Sequence, residues 1–267
     1  MRGQHGEPVG GQRAPVGSGS GRLCGMNDFP PLLRTPAPEW YGRLRVHPAD
    51  LGPARWLTER APGHGDFATV AGVAAPGFAA YARVLHPASL DERPVRWAAV
   101  AAAYGREVAP DTKWHEVIGA EPFYQNASAY GLPEVWDEHP EEGPTPPDLA
   151  RALIPVLGRH TGTPERCWFG LWEGYGRRDF SRVRRFETPG RREVLLSGTL
   201  ADVLSPAACD AFDELPDLWW PQDRAWCVGG DVDLVSTYVG GSHALIAELL
   251  AAPELEAHPV GPGDGVG

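Results

Sequence analysis

Apolar and polar positions alternate or recur in short blocks through most of this chain, and the blocks change period often. "WYGRLRV" (40–46), "ATVAGVA" (68–74) and "YARVLHP" (81–87) alternate loosely and read as strands. "CWFGLWEGY" (167–175), "VLLSGTL" (194–200) and "RAWCVGGDVDL" (224–234) read the same way, the first nearly continuous in apolar character and therefore central. Helical spacing governs "VRWAAVAAAYG" (95–105), where Trp97, Val100 and Tyr104 recur on one face and Gly105 stops the run. It returns in "PARWLTERA" (53–61), in "PPDLARALIPVLGRHTG" (146–162) and in "SPAACDAFDEL" (205–215). "SHALIAELLAA" is a further helix with Ser242 as its N-cap and Leu245/Leu249 and Ile246/Leu250 on its inner side. "LEAHPV" reads as a last short strand. The order shows no regular strand–helix–strand rhythm, so the pattern predicts an α+β fold: a single domain with a mostly antiparallel sheet and flanking helices.

The ends behave differently. Residues 1–25 carry almost no large apolar side chain and cannot offset the backbone entropy of folding, so they are expected to be a disordered extension before a natural start at Met26. The domain is expected over 26–260, with a frayed tail at 261–267. A Pro-, Glu- and Gly-rich stretch, "YGLPEVWDEHPEEGPTPPD", reads as a loop of about twenty residues, long enough to suggest function or mobility.

Composition narrows the classes. The 267 residues are 42% hydrophobic, enough for one sizeable core. A formal net charge of -11 disfavours nucleic-acid backbones and anionic membrane surfaces. No apolar run approaches the length of a transmembrane helix, and the N-terminus lacks the apolar segment of a signal peptide. The four cysteines form no CxxC pair and read as reduced thiols, which points to a cytoplasmic protein. Their spacing supports no structural zinc, and no cofactor is implied.

Candidate chemistry lies in few places. HExxH, GxSxG, Walker A and GxGxxG motifs are all missing from the sequence. Asp231 and Asp233 alternate along an expected strand and would share one polar face; a pair of carboxylates there suits acid–base work or a hard cation, or pairing with arginines. Glu173 stands at the mouth of the strand that contains Trp172, where a charge needs a partner. Trp219 and Trp220, in the irregular-looking "WWPQD", are candidates for an exposed aromatic platform, or for loop residues folded onto the core. Gly240 and Gly241 read as a turn that leads into the Ser242 helix cap, either an ordinary helix start or a place for an anion. An arginine-rich segment (177–192) is the local exception to the acidic balance, and it reads as a solvated loop or as an anion or acidic-partner patch.

"GFAAYARVLHPA", "CWFGLWEGYG", "WWPQDRAWCVGGDVDLVSTYVGG" and "LIAELLAAPELEA" resemble segments of a family of uncharacterised proteins from high-GC Gram-positive bacteria. The resemblance covers roughly residues 27–260. It implies a cytoplasmic bacterial protein and attaches no activity to any residue. Two functional readings follow from the residues. One is a non-catalytic module that binds a protein or a small polar ligand. The other is a small enzyme acting on a polar, glycan-like substrate through clustered carboxylates.

Overall fold

The computed structural model describes residues 39–60, 68–121, 134–176 and 178–267. The expectation of disorder over 1–25, the start at Met26, Cys24 and Arg177 lie outside these residues. Among the described residues the chain forms twelve strands and seven helices. The strands are β1 (Trp40–Tyr41), β2 (Leu44–Val46), β3 (Ala80–Leu85), β4 (Ala88–Leu90), β5 (Arg93–Val95), β6 (Cys167–Trp172), β7 (Arg185–Thr188), β8 (Arg191–Gly198), β9 (Leu218–Pro221), β10 (Cys227–Gly229), β11 (Ser236–Gly241) and β12 (Ala257–Val260). The helices are α1 (Arg55–Arg60), α2 (Val70–Val73), α3 (Trp97–Ala103), α4 (Trp114–Ile118), α5 (Pro147–Arg159), α6 (Ser205–Cys209) and α7 (His243–Ala251).

Ten strands make one sheet in the order β1-β2-β8-β6-β9-β10-β11-β3-β12, with β7 beside the first half of β8, and every pairing is antiparallel. This is the α+β, sheet-dominated fold that the mixed periodicities predict. The two remaining strands, β4 and β5, form a separate hairpin whose turn residues Asp91 and Glu92 both take positive φ, 51° and 62°. That pair of left-handed residues is the geometry of a two-residue hairpin turn, adopted here without glycine.

Helices cover both faces of the sheet. Phe169, Leu171, Val194, Leu196, Trp219 and Val239 pack with α5 and α7. The residues one step along the same strands, Leu195, Leu218, Trp220 and Cys227, pack on the opposite side with Trp56 and Leu57 of α1. Tyr81 and Tyr238 meet Val70 and Val73 of α2. A smaller aromatic core, Trp97, Trp114 and Trp136, closes the end of β3, with successive ring centroids 5.1 Å and 5.3 Å apart.

This two-sided burial explains the main departures from the sequence pattern. "WWPQD" is not an exposed approach: its first three residues belong to β9, and Trp219 and Trp220 are 0% and 1% exposed. Neighbouring side chains on a strand point to opposite faces, and here each face is a core. "YVGGS" is not a turn. Gly240 and Gly241 end β11, paired to Tyr81 and Ala80 of β3. A Cβ on Gly240 would approach Phe78 to 2.5 Å, and one on Gly241 would approach Leu245 to 2.6 Å, so close packing demands both glycines. "ATVAGVA" contains the short helix α2, capped by the Thr69 hydroxyl, rather than a strand. Only Cys227–Gly229 of "RAWCVGGDVDL" is strand. Cys167 and Cys227 are buried free thiols as expected, whereas Cys209 is exposed.

The segment after Gly261 is held rather than frayed. Val70 and Val266 donate backbone hydrogen bonds to Asp264 and Ala68, both at 3.0 Å, and the Gly267 amide donates to the Tyr238 hydroxyl at 3.2 Å. Val266 packs with Val70, Tyr81 and Tyr238, which supplies the burial that its composition did not advertise.

Candidate functional site

Three of the nominated acids converge, but around arginines. β7 and β8 form a hairpin that brings Arg185, Arg191 and Arg192 beside the end of β6. Arg191 grips Asp231 through two bonds of 2.8 Å and reaches Asp233 at 2.9 Å. Asp231 and Asp233 therefore share a partner from a turn, not from a continuous strand; the Asp233 amide closes that turn on the Asp231 carboxylate at 3.0 Å. Glu173 sits in a one-turn 3-10 helix (Glu173–Tyr175) just past β6 and pairs with both Arg185 and Arg192. The Trp172 ring lies under the Arg191 guanidinium, 4.7 Å from its centre. The arginine-rich segment is thus largely internal wiring. Each acid nominated from the sequence is neutralised by a planar guanidinium, a fork geometry that Arg supplies and Lys does not.

Two acids that the sequence reading passed over lie behind this layer. Asp217 precedes β9 and is buried; its carboxylate accepts from the Trp172 amide at 2.8 Å and from the Tyr175 hydroxyl at 2.7 Å. Burial pushes its pKa up to about 7 against the pull of those two donors, with Asp231 adding to the rise. Glu193 stands on β8 between Arg191 and Leu195, on the same face as both, and is 2% exposed. Its Oε2 has no hydrogen-bond partner among the described residues. Burial, then the charges of Asp217 and Asp231, hold its pKa well above the usual carboxylate range. The signal for both was present: an acid set against an apolar run, in "REVLLSG" and in "PDLWW", needs an explanation of its burial.

Glu193, Arg191 and Asp231 line a cleft of about 30 Å³ whose other walls include Leu57, Val73, Pro76 and Pro189. Among the described residues no group of three or more histidines, cysteines or acids is arranged to hold a metal ion.

The remaining nominated residues do not join this cluster. Trp219 is 0% exposed and its indole donates to the Pro216 carbonyl at 2.7 Å, and Trp220 stacks edge-on against Trp56 and Phe186. Neither can offer a ring to a ligand. Gly240 and Gly241 lack the positive φ of an anion-binding turn and are paired into the sheet. Ser242 does cap α7, accepting from the Leu245 amide at 3.2 Å.

Comparison with protein-family models, curated proteins and solved structures finds no match to this chain.

A second recess is far larger. A groove of about 840 Å³ runs between the β4–β5 hairpin, the start of α5 and the segment before β12. Leu85, Pro87, Pro94, Pro146, Pro147 and Leu149 give it an apolar lining that is short of backbone donors. Its charged lining is mainly acidic: Glu92, Glu141, Asp148, Glu254 and Glu256, against Arg96 and Arg151. Asp148 pairs with Arg151, and Glu256 accepts from the Trp97 and Ala98 amides at 2.7 and 2.8 Å. Arg96 donates to the Pro253 carbonyl. The carboxylates of Glu92, Glu141 and Glu254 bond to no other described residue, and all three are exposed. No helix among the described residues is long and apolar enough to cross a membrane.

Proposed function

We propose that this protein is a non-catalytic binding module whose site is the proline-walled groove, and that its partner is an extended polypeptide segment carrying lysine or arginine beside apolar side chains. The observation that carries this reading is the pairing of an 840 Å³ apolar-walled groove with three uncommitted carboxylates along it. Apolar side chains of the segment would fill the floor while its cations meet Glu92, Glu141 and Glu254. The chain's net charge of -11 speeds the approach of such a partner and disfavours acidic ones. Glu92 sits at a left-handed turn position that a glycine would occupy more comfortably, which is the kind of local strain that functional rims retain.

Fluorescence anisotropy with a labelled peptide alternating lysine and leucine tests the reading. Wild-type protein binds, with affinity falling as salt rises. The triple variant Glu92→Gln/Glu141→Gln/Glu254→Gln weakens binding about tenfold, since exposed pairs contribute about 0.5 kcal/mol each. Equal binding by the triple variant, or by a peptide with glutamate in place of lysine, rejects it. The enzyme reading now rests on Glu193, because Glu173, Asp231 and Asp233 are tied to arginines.

A further inference from the structure

The charges around the small cleft do not balance. Arg185 and Arg192 answer Glu173, and Arg191 answers Asp231 and Asp233. Asp217 has no cation of its own among the described residues, but its two donors, Tyr175 and the Trp172 amide, satisfy it. Among the described residues Glu193 makes no ion pair, the Arg191 charge acting on it only through space, and its Oε2 has no hydrogen bond, although it is 2% exposed and lines the cleft. Burying a polar atom without a partner is unfavourable by about 1–3 kcal/mol, so evolution ordinarily removes it unless something comes to meet it.

The cleft itself describes the visitor. The cleft is small: a sphere the size of a water molecule has about 30 Å³ in which to place its centre, room for one ammonium group. Leu57, Val73, Pro76 and Pro189 line the rest of it and suit methylenes. An anion would meet Glu193 and Asp231, while Arg191, the cation of the lining, is already bound to Asp231 and Asp233. We propose that this cleft is a site for a small primary ammonium cation, such as an alkylamine or the end of a lysine side chain, whose head group hydrogen-bonds to the Glu193 carboxylate. The site shares no lining residue with the proline-walled groove and does not depend on the function assigned to it.

Binding of the cation favours the ionised form of Glu193, so a proton leaves to solvent as the ammonium enters. The titratable and charged groups around Glu193 are Arg191 and Arg192 on its own strand, Arg185 on β7, Glu173 and Tyr175 on the 3-10 turn, Asp217 before β9, and Asp231 and Asp233 on the following turn. The α1 and α2 side contributes only Leu57, Ala71, Gly72 and Val73 to the cleft, none of them titratable.

Isothermal titration of the full chain with methylammonium and n-butylammonium chloride tests the site. The experiment is run in two buffers of different protonation enthalpy, with tetramethylammonium and sodium chloride as controls. Both primary amines bind, the buffers differ in heat by the released proton, and affinity rises with pH by up to tenfold per pH unit while Glu193 is protonated. Glu193→Gln, verified as folded by its melting curve, loses the binding. No heat from either primary amine, no proton release by the wild-type chain, equal binding of tetramethylammonium or sodium, or unchanged binding by Glu193→Gln each overturns the proposal. The proton-release measurement on unmodified protein decides it even if the variant does not fold.

Discussion

Two buried polar regions of this molecule are finished to different degrees. The first joins β3 to its surroundings. Arg83, 2% exposed, donates from Nε to the Ser236 hydroxyl at 2.9 Å and from Nη1 to the Pro110 and Thr112 carbonyls at 3.1 and 2.8 Å. Its Nη2 reaches the Gly267 backbone oxygen, and the guanidinium lies over the Trp97 ring at 5.4 Å. His86, fully buried, sits 2.8 Å from the Glu141 carbonyl through Nδ1 and 2.9 Å from the Thr237 hydroxyl through Nε2. A carbonyl can only accept, so Nδ1 carries the proton and Nε2 accepts; the Thr145 hydroxyl, 3.0 Å from that of Thr237, completes the chain. The second region, around Arg191 and Glu193, is open to solvent at its rim, yet Glu193 at its centre is as buried as Arg83 and its Oε2 is unmatched among the described residues. A closed network fastens segments together and has no capacity for a visitor. An open one is less favourable for folding and is retained where it meets something else.

Substitutions should separate the two. Arg83→Met strands a hydroxyl and three carbonyls at once, and destabilises by about 3–5 kcal/mol in chemical denaturation. Survival of full stability would show that the first network is decoration. His86→Leu removes one donor and one acceptor and costs about 2–3 kcal/mol by the same measurement. Glu193→Gln is the contrast: at neutral pH it changes stability by less than about 1 kcal/mol, or raises it, because an amide replaces a carboxyl that burial already disfavours ionising. A loss as large as that of Arg83→Met would mean that Glu193 is structural.

The same contrast has opposite signs in pH. The pKa of His86 is lowered to about 4 by burial, below its ordinary 6.5, so its contribution is fully present above pH 6.5 and is lost as pH falls towards 4. The pKa of Asp217 is raised from 3.8 to about 7, so its contribution is greatest below pH 4 and is lost as pH rises towards 7. Melting temperatures of wild type and Asp217→Asn across this range check it: the wild type loses ground to the variant as pH increases. A difference that is flat with pH would place the Asp217 carboxyl at an ordinary value. His86 titrates in both proteins, so its effect cancels from this difference.

Much of the architecture was legible because it depends on local pattern. α3 and α7 fall inside the segments where helical spacing predicts them, and β3, β6 and β8 overlap the alternating segments. The Ser242 cap was legible from one residue type at one place. What escaped depends on where distant segments lie. Trp219 and Trp220 look exposed beside Pro221 and Gln222, and only the layers on both faces of the sheet make them core. Gly240 and Gly241 look like a turn until Phe78 and Leu245 are brought against them. The acids divided by the same rule. Glu173, Asp231 and Asp233 announce themselves near turns, and arginines from the β7–β8 hairpin then claim them. Glu193 and Asp217 lie flush with apolar runs and reveal their isolation only when the sheet is assembled. The groove could not be read from pattern, because its walls come from three separated parts of the chain.

The strand order also sets a timetable for synthesis. β3 finds its sheet partners only in β11 and β12, and the Arg83–Ser236 bond spans 153 residues. At the pace of translation that interval is about 8–30 s, during which an apolar strand waits beside the ribosome without an edge to join. β6, β8, β9 and β10 can meanwhile assemble among themselves and take in β2 through β8, so the middle of the chain is ready first and β3 docks late.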